Sequence, residues 1–237
     1  MIINFFKKMS FSLIYQKHMI PVSNEITNIV LSYVKVKTNG RPLEMAVDVG
    51  CGTGRYTLPL APHFKKVLGL DISESQINVA KQMTLAKNVS YMVAPAENLP
   101  MKDASMDLVH AGLAAHFFTI DQFLDEAVRV LKTRGCLAFH GFEPPTELEY
   151  KNVSNNLSVV MSENHRYTGQ DSDLHSRNDW IHSVSCWISA IQRRRCERSR
   201  AISNKYRKRF REILGEEADF VRMNMPMKYY CVLACKH

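Results

Sequence analysis

Three glycines in one short stretch are the first residues whose spacing could do chemistry. Within "VDVGCGTGRYT", Gly50, Gly52 and Gly54 alternate with small residues behind an apolar run. Their G-x-G-x-G spacing differs from the G-x-G-x-x-G of dinucleotide-binding turns. A glycine turn between a strand and a helix lets a ligand approach the backbone closely, although such turns also occur without a ligand. A phosphate, the edge of a sugar and no ligand at all are therefore the alternatives for this turn.

The acid that follows favours a sugar. Asp71 ends the next apolar run, 21 residues after Gly50. A carboxylate at the end of a strand points into the crevice above the sheet, where it can accept hydrogen bonds from both hydroxyls of a ribose. The turn has one residue before its last glycine, where the dinucleotide-binding motif has two. This difference argues against a pyrophosphate resting on the start of the helix. These residues together predict a nucleoside-binding site.

The elements that position these residues alternate along the chain. Five apolar runs are predicted strands: Met45–Gly50, Lys66–Asp71, Val89–Pro95, Met106–Gly112 and Cys136–Phe142. Helical spacing of apolar residues lies around and between them, at Ser23–Val34, Tyr56–His63, Glu74–Leu85 and Asp121–Leu131. This alternation is typical of a parallel sheet that is covered on both faces. A last strand is predicted at Met227–Lys236, and the preceding "DFVRMN" can pair with it.

We expect a single domain of 237 residues with one large insertion. Its predicted parts are an N-terminal helical cap (1–40), a ligand-binding core (41–142), a helical insertion that forms the substrate region (143–217) and terminal strands (218–237). No apolar run approaches the roughly 20 residues of a membrane span, and the N-terminus lacks the regions of a secretory signal. The protein is therefore predicted to be cytoplasmic.

The six cysteines contain no C-x-x-C pair. A disulfide framework and a zinc site are therefore not expected, and no metal site is predicted. Cys231 and Cys235 are four residues apart, which places both on one face of the last strand. Since a free cysteine packs as a small apolar side chain, we expect buried free thiols.

The net charge of +8 is concentrated in one segment. Arg193–Arg211 holds ten basic residues and one acid, whereas the rest of the chain holds 21 basic and 22 acidic residues. Such a segment could bind RNA or an anionic membrane surface. However, Ile202, Tyr206 and Phe210 recur at helical spacing, which favours an amphipathic helix with solvated cations or a rim that attracts an acidic substrate. A nucleic-acid partner is therefore not expected.

Four segments in order resemble a known family. They are "VDVGCGTG", "LGLDISESQINVAK", "APAENLPMKDASMDLVHA" and "FLDEAVRVLKTRGCLAF". They look like successive motifs of the class I S-adenosylmethionine-dependent methyltransferases, over about Met45 to Phe142 plus the terminal strand. "AAHFF" (Ala114–Phe118) and "IYQKH" (Ile14–His18) are similar to stretches of small-molecule enzymes of the trans-aconitate methyltransferase type. The resemblance implies a doubly wound α/β fold, with a mostly parallel, seven-stranded, Rossmann-like sheet and an antiparallel C-terminal strand.

The resemblance also implies where the cofactor S-adenosylmethionine would lie. Its amino-acid end would border four residues of the turn: Gly50, Cys51, Gly52 and Thr53. Asp48 would orient this turn or meet the ammonium group through water. Asp71 would hold the ribose, and Ile72 would pack on the adenine.

Further roles follow for residues after the third and fourth strands. Ala96 and Glu97 would lie at the edge of the adenine. The residues from Ala114 to His116 would face the methyl-bearing sulfur, and Tyr15 would close over the cofactor. His116 is the candidate catalytic base, needed only where the acceptor must lose a proton.

The chain also departs from the family pattern. Pro95 stands where many relatives have an acid that accepts from the adenine amino group, and Phe117 replaces a tryptophan. Ser172–Arg200 aligns with nothing in the family. The predicted function is therefore methyl transfer to a small-molecule acceptor whose identity the sequence does not give. The alternative is a module that binds the cofactor without catalysis and serves a protein or nucleic-acid partner.

Overall fold

Six strands form one mixed sheet in the order β3-β2-β1-β4-β5-β6. The computed structural model describes residues 24–142 and 229–236. The strands are β1 (Met45–Val49), β2 (Lys66–Asp71), β3 (Val89–Val93), β4 (Met106–Gly112), β5 (Leu131–Phe142) and β6 (Tyr229–Cys235). The α-helices are α1 (Asn24–Lys37), α2 (Glu74–Met83) and α3 (Ile120–Val130). Two 3₁₀ helices are η1 (Leu58–His63) and η2 (Ala115–Phe117).

The first five strands are parallel and the last is antiparallel. β1 pairs in parallel with both β2 and β4, β2 pairs with β3, and β4 pairs with β5. The Arg134 N–H donates to the Lys236 carbonyl at 2.8 Å, and the Lys236 N–H donates to the Gly135 carbonyl at 2.9 Å. This confirms the predicted α/β fold with a mostly parallel sheet and an antiparallel C-terminal strand. The described residues contain six of the seven predicted strands, and "DFVRMN" lies outside them.

Apolar side chains cover both faces of the sheet, as the near-continuous apolar strands predict. The first six residues of β4 are all buried. On β6, Val232 and Ala234 pack on one core cluster. Cys231, Leu233 and Cys235 pack on the other, so the two cysteines share a face as predicted. Both thiols are free but only partly buried, which corrects the expectation that they are buried.

The prediction of a helix at Tyr56–His63 is only partly right. Residues up to Thr57 form turns, and Leu58–His63 is a 3₁₀ helix. Pro59 and Pro62 lie within it. Because proline lacks the N–H that an α-helical ladder needs, the segment does not continue as an α-helix.

The chain reverses its direction across the sheet between β1 and β4. It proceeds from β1 outward to β2 and β3, and then returns to the other side of β1 with β4 and β5. In open α/β sheets such a switch point opens a crevice at the carboxyl ends of the strands, where ligands bind. Among residues 24–142 and 229–236, no helix combines the length and apolar character that crossing a membrane requires. The same residues contain no group of three or more His, Cys, Asp or Glu side chains that could hold a metal ion.

Candidate functional site

A cavity of about 350 Å³ lies at the carboxyl ends of β1 to β4. Its wall includes the glycine turn after β1, the end of β2, the loop after β3 and the loop after β4. The predicted site residues that line it are Gly50, Cys51, Gly52, Thr53, Asp71, Ile72, Ala96, Glu97 and Ala114. The structure therefore brings together residues from four separate segments at the expected switch point.

Gly50 and Gly52 both require glycine, but for different reasons. Both have positive φ angles, +68° and +55°, which other L-residues rarely adopt. A Cβ on Gly50 would collide with the Cβ of Ala114 and lie 3.0 Å from Phe118 Cζ, so this backbone packs directly on the loop after β4. A Cβ on Gly52 would meet only Gln76 Oε1, at 3.7 Å. Gly52 is therefore the position where the turn leaves room for a ligand.

Asp71 fastens the glycine turn to the end of β2. Its Oδ2 accepts a hydrogen bond from the Gly52 N–H at 2.8 Å, and its Oδ1 accepts one from the Ser73 N–H at 2.8 Å. Burial raises the pKa of the Asp71 carboxyl, although these two hydrogen bonds oppose the shift. Each carboxylate oxygen has two lone-pair directions, so each keeps one free for a ligand. The arrangement can accept two further hydrogen bonds, which is the number that a ribose diol offers.

Two large apolar side chains are exposed in this cavity. Ile72 is 61 % exposed and Phe117 is 46 % exposed, and both line the wall. Apolar side chains of this size are usually buried, and here they expose apolar surface to the cavity beside Asp71 and in the loop after β4. This surface suits a planar ring. Phe117 is one of the positions where the sequence departs from the family pattern.

Glu97 connects the loops after β3 and β4. Its Oε1 accepts a hydrogen bond from the Thr119 N–H at 2.7 Å. Thr119 is the N-cap residue of α3 and also lines the cavity. The contact at the adenine edge stays a prediction for Glu97 and Ala96.

Asp48 lies behind the turn and not in the cavity wall. It is 1 % exposed and accepts a hydrogen bond from Thr57 Oγ1 at 2.6 Å. Its other oxygen is 2.8 Å from His110 Nδ1. Asp48 thus contacts Thr57, the last residue of the turn, and its predicted role of orienting the turn stays a prediction. A contact with an ammonium group through water stays a prediction.

His116 and Tyr15 are the two remaining predicted residues. His116 is half-buried in η2, and the centroid of its ring lies 3.9 Å from that of Phe117. The cavity wall contains Phe117 but not His116. Tyr15 lies outside the described residues.

Sequence reasoning missed several residues that line the cavity. They are Arg55, Tyr56, Ser73, Gln76, Ala94, Gly112, Leu113 and Phe118. For Gln76 the sequence did hold a signal. Ser73 followed by a glutamine three residues later is a helix-start pattern, and it places the glutamine beside the end of β2.

The segment that forms the cavity is similar to a known family. Residues 47–139 match the family model described as a methyltransferase domain. Over these residues the chain is therefore a methyltransferase domain. The matched residues contain the glycine turn, Asp71 and the loops that line the cavity. S-adenosylmethionine is the cofactor expected of this methyltransferase domain.

Two curated relatives extend the match. A methyltransferase candidate of Dictyostelium discoideum is 34 % identical over 124 residues, which are 52 % of this chain and 44 % of that protein. An S-adenosylmethionine-dependent methyltransferase candidate of Saccharomyces cerevisiae is 30 % identical over 114 residues, 46 % of this chain and 39 % of that protein. The chain thus spans less than half the length of either relative.

A solved structure supports the fold. The crystal structure of the YcgJ protein from Bacillus subtilis superposes with a TM-score of 0.50 at 19 % identity, over 88 % of this chain and 98 % of that one. At this identity the likeness shows the Rossmann-like methyltransferase fold alone. The finer likeness to enzymes of the trans-aconitate type stays a prediction.

Proposed function

We propose that this protein transfers a methyl group from S-adenosylmethionine to a small-molecule acceptor. The observation that carries the proposal is the hydrogen bond from the Gly52 N–H to Asp71, in a cavity that extends to Phe117 beyond β4. A bare backbone, a carboxylate and an apolar surface are the three features that a nucleoside joined to an amino acid needs. The cavity of about 350 Å³ is of the size that small-molecule ligands occupy.

The residues present fit this cofactor. Asp71 keeps lone pairs free for the ribose, and the exposed face of Ile72 can pack on the adenine. Gly52 leaves room for the amino-acid end beside the turn. Pro95 cannot accept from the adenine amino group through its side chain, so that contact falls to Glu97 or to backbone carbonyls.

The main contribution of this chain to the proposed reaction is to position the cofactor and the acceptor. When bound, S-adenosylmethionine supplies a methyl group on a sulfonium whose sulfur is a good leaving group. Holding two reactants in line converts an encounter between molecules into a step within one complex. The turn that packs on Ala114 and the carboxylate of Asp71 would fix one reactant. The loop with Phe117 would border the other.

His116 is the proposed base for an acceptor that must lose a proton. It follows Ala114 in the loop after β4, and its ring packs on Phe117, which lines the cavity. We expect His116→Ala to lower turnover at saturating cofactor, with cofactor affinity within about twofold of wild type, since a general base contributes roughly 10²–10⁴-fold. Unchanged turnover would reduce His116 to a packing residue.

The first experiment measures binding of S-adenosylmethionine and S-adenosylhomocysteine by calorimetry. We expect binding by wild type and its loss in Asp71→Ala, because Asp71 both fastens the turn and faces the cavity. Glu74→Ala is the matched control, since Glu74 is an exposed acid three residues further on and does not line the cavity. No binding by wild type would contradict the proposal.

The second experiment separates catalysis from binding. Production of S-adenosylhomocysteine is measured against a panel of small carboxylic acids, phenols and amines. Turnover with one class identifies the acceptor and supports the proposal. Tight cofactor binding with no turnover across the panel would favour the non-catalytic module that serves a macromolecular partner.

A further inference from the structure

The start of α2 has the sequence of a capping box but only half of its hydrogen bonds. In a capping box the N-cap side chain accepts from the N–H three residues on, and the Glu or Gln at that position accepts from the N-cap N–H. The first bond is present, from the Gln76 N–H to Ser73 Oγ at 3.4 Å. The second is absent, because the Ser73 N–H donates to Asp71 Oδ1 at 2.8 Å. The carboxylate that ends β2 has taken the donor that Gln76 would otherwise bind.

The oxygen of Gln76 is consequently left without a partner. The residue is 3 % exposed, and Oε1 is buried with no hydrogen bond. An unpaired buried amide oxygen is unfavourable, and most such groups in folded proteins have a partner. This oxygen belongs to a residue of the cavity wall and lies 3.7 Å from the place that a Cβ of Gly52 would occupy. A bound ligand can therefore supply the missing donor.

The surroundings restrict what that donor can be. The Gly52 N–H already donates to Asp71 Oδ2 at 2.8 Å and is not available to the amide oxygen. The neighbouring carboxylate disfavours a second anionic group at this spot. A hydroxyl or another neutral or cationic donor fits, and a ribose expected at Asp71 carries two hydroxyls.

We infer that the Gln76 carboxamide is a second ribose-binding group, whose oxygen accepts a hydrogen bond from a hydroxyl of the nucleoside held by Asp71. The inference rests on the proposed function, because that function supplies the nucleoside. It assigns to α2 a direct part in ligand selection, in addition to its packing against the sheet.

The test compares two glutamines on the same helix. Binding of S-adenosylhomocysteine is measured by calorimetry for wild type, Gln76→Leu and Gln82→Leu. Gln82 is an exposed residue of α2 that does not line the cavity. We expect Gln76→Leu to weaken binding about five- to tenfold, as for the loss of one neutral hydrogen bond, and Gln82→Leu to change it less than about twofold. The thermal midpoint of unliganded Gln76→Leu should not fall, since leucine removes an unpaired buried oxygen.

Analogues of the ligand locate the contact. The same proteins are titrated with the 2′-deoxy and 3′-deoxy analogues of S-adenosylhomocysteine, which forms a cycle between one side chain and one hydroxyl. Wild type should discriminate against both analogues, and Gln76→Leu should lose its discrimination at one hydroxyl only. Unchanged discrimination at both hydroxyls would overturn the ribose contact, even if Gln76→Leu binds weakly. Wild type that binds none of these ligands would instead refute the proposed function, and the inference with it.

Discussion

Substitutions at two glycines that share a backbone conformation can distinguish the cost of backbone strain from the cost of steric crowding. The φ angles of Gly50 and Gly40 are +68° and +69°. A Cβ on Gly50 would collide with Ala114 and come within 3.0 Å of Phe118 Cζ, whereas a Cβ on Gly40 would meet nothing within 4 Å. We expect Gly40→Ala to lower the free energy of unfolding by about 1–2 kcal/mol, the strain of a left-handed alanine. Gly50→Ala should lower it further and weaken binding of S-adenosylhomocysteine at least about tenfold, because the turn must move.

Urea unfolding and calorimetry on the two variants measure these effects. Since both substitutions add the same methyl group at the same φ, the difference between them reports the crowding alone. Equal free energies of unfolding and equal affinities would mean that the loop after β4 yields freely, and that Gly50 does not fix its position.

His140 gives a prediction about pH. It is 3 % exposed on β5, and neither ring nitrogen has a hydrogen-bond partner. Burial, with a smaller effect of nearby His110, lowers its pKa to about 3. The unfolded state therefore binds a proton at higher pH than the folded state does. The contribution of His140 to stability is present above about pH 6.5 and falls by about 1.4 kcal/mol per pH unit between there and about pH 3.

His140→Phe removes this dependence and keeps a ring in the site. We expect the free energy of unfolding of His140→Phe, relative to wild type, to rise steadily as the pH is lowered from about 6.5 to 4. Because carboxylates also titrate there, the difference between the two proteins is the quantity to measure. The exposed His63 supplies the control, and His63→Gln should follow the wild-type curve. Parallel curves for wild type and His140→Phe would mean that His140 has a partner that keeps its pKa near the usual value.

At the residue scale, the sequence predicts the position of a residue in the site where only one role suits its type. A glycine turn followed by an acid at the next strand end placed Gly52 and Asp71 together, and they are joined at 2.8 Å. Gln76 was not predicted, because its exposure to the cavity depends on which acceptor takes the Ser73 N–H. That competition is a matter of tertiary geometry. Asp48 was assigned two roles for the same reason, and burial favours its contact with Thr57.

Element by element, Arg129 of α3 holds the loop that follows β3. Its guanidinium donates to the carbonyls of Leu99 and Met101, at 2.9 and 2.8 Å. It also donates to Asp103 and to Glu126 at 2.7 Å, and Glu126 in turn accepts from the Leu99 N–H. The Arg129 side chain therefore holds two carbonyls of the loop that follows Ala96 and Glu97.

Arg129→Ala should loosen this loop without disturbing the glycine turn. We expect a loss of roughly 2–3 kcal/mol in the free energy of unfolding, since several hydrogen bonds to a charged group disappear. Because the adenine edge is expected at this loop, affinity for S-adenosylhomocysteine should fall a few-fold. The exposed Lys81 of α2 provides a control of the same charge, and Lys81→Ala should alter neither quantity. An affinity that survives in Arg129→Ala would place the adenine edge away from this loop.

Elements were predicted well where one signal dominated. The strands β2 and β4 have the predicted bounds, because buried parallel strands are continuous apolar runs. The strand β5 begins at Leu131 and not at Cys136, since the helix and the strand are joined without a loop and their apolar patterns merge. At η1 the apolar spacing suggested an α-helix, but its prolines remove the necessary donors.

At the scale of the whole molecule, the cavity lies at one end of the sheet and a buried group of ion pairs lies at the other. The cavity lies at the carboxyl ends of the strands, and Asp107 lies near the opposite end, as the second residue of β4. Asp107 is fully buried and accepts from the N–H groups of Glu44 and Met45, at 2.8 and 2.9 Å. It also pairs with Arg41 at 2.6 Å and Lys132 at 3.0 Å. Burial would raise the pKa of Asp107, but these hydrogen bonds and Lys132 lower it overall.

Asp107→Asn should therefore affect stability and not binding. Losing the charge leaves two cations without their partner beside a buried site, and we expect the free energy of unfolding to fall by roughly 3 kcal/mol at neutral pH. Affinity for S-adenosylhomocysteine should stay within about twofold of wild type, because the cavity is at the other end of the strands. Asp125→Asn, an exposed acid on α3, serves as the control that removes the same charge. Because the pKa of Asp107 is depressed, its contribution to stability is lost as the pH falls below the pKa of an ordinary aspartate. The free energies of unfolding of Asp107→Asn and Asp125→Asn should therefore converge in acid. A large loss of ligand affinity in Asp107→Asn would show that the two ends are coupled, so that the β4 strand transmits strain from its first residues to the loop that follows it.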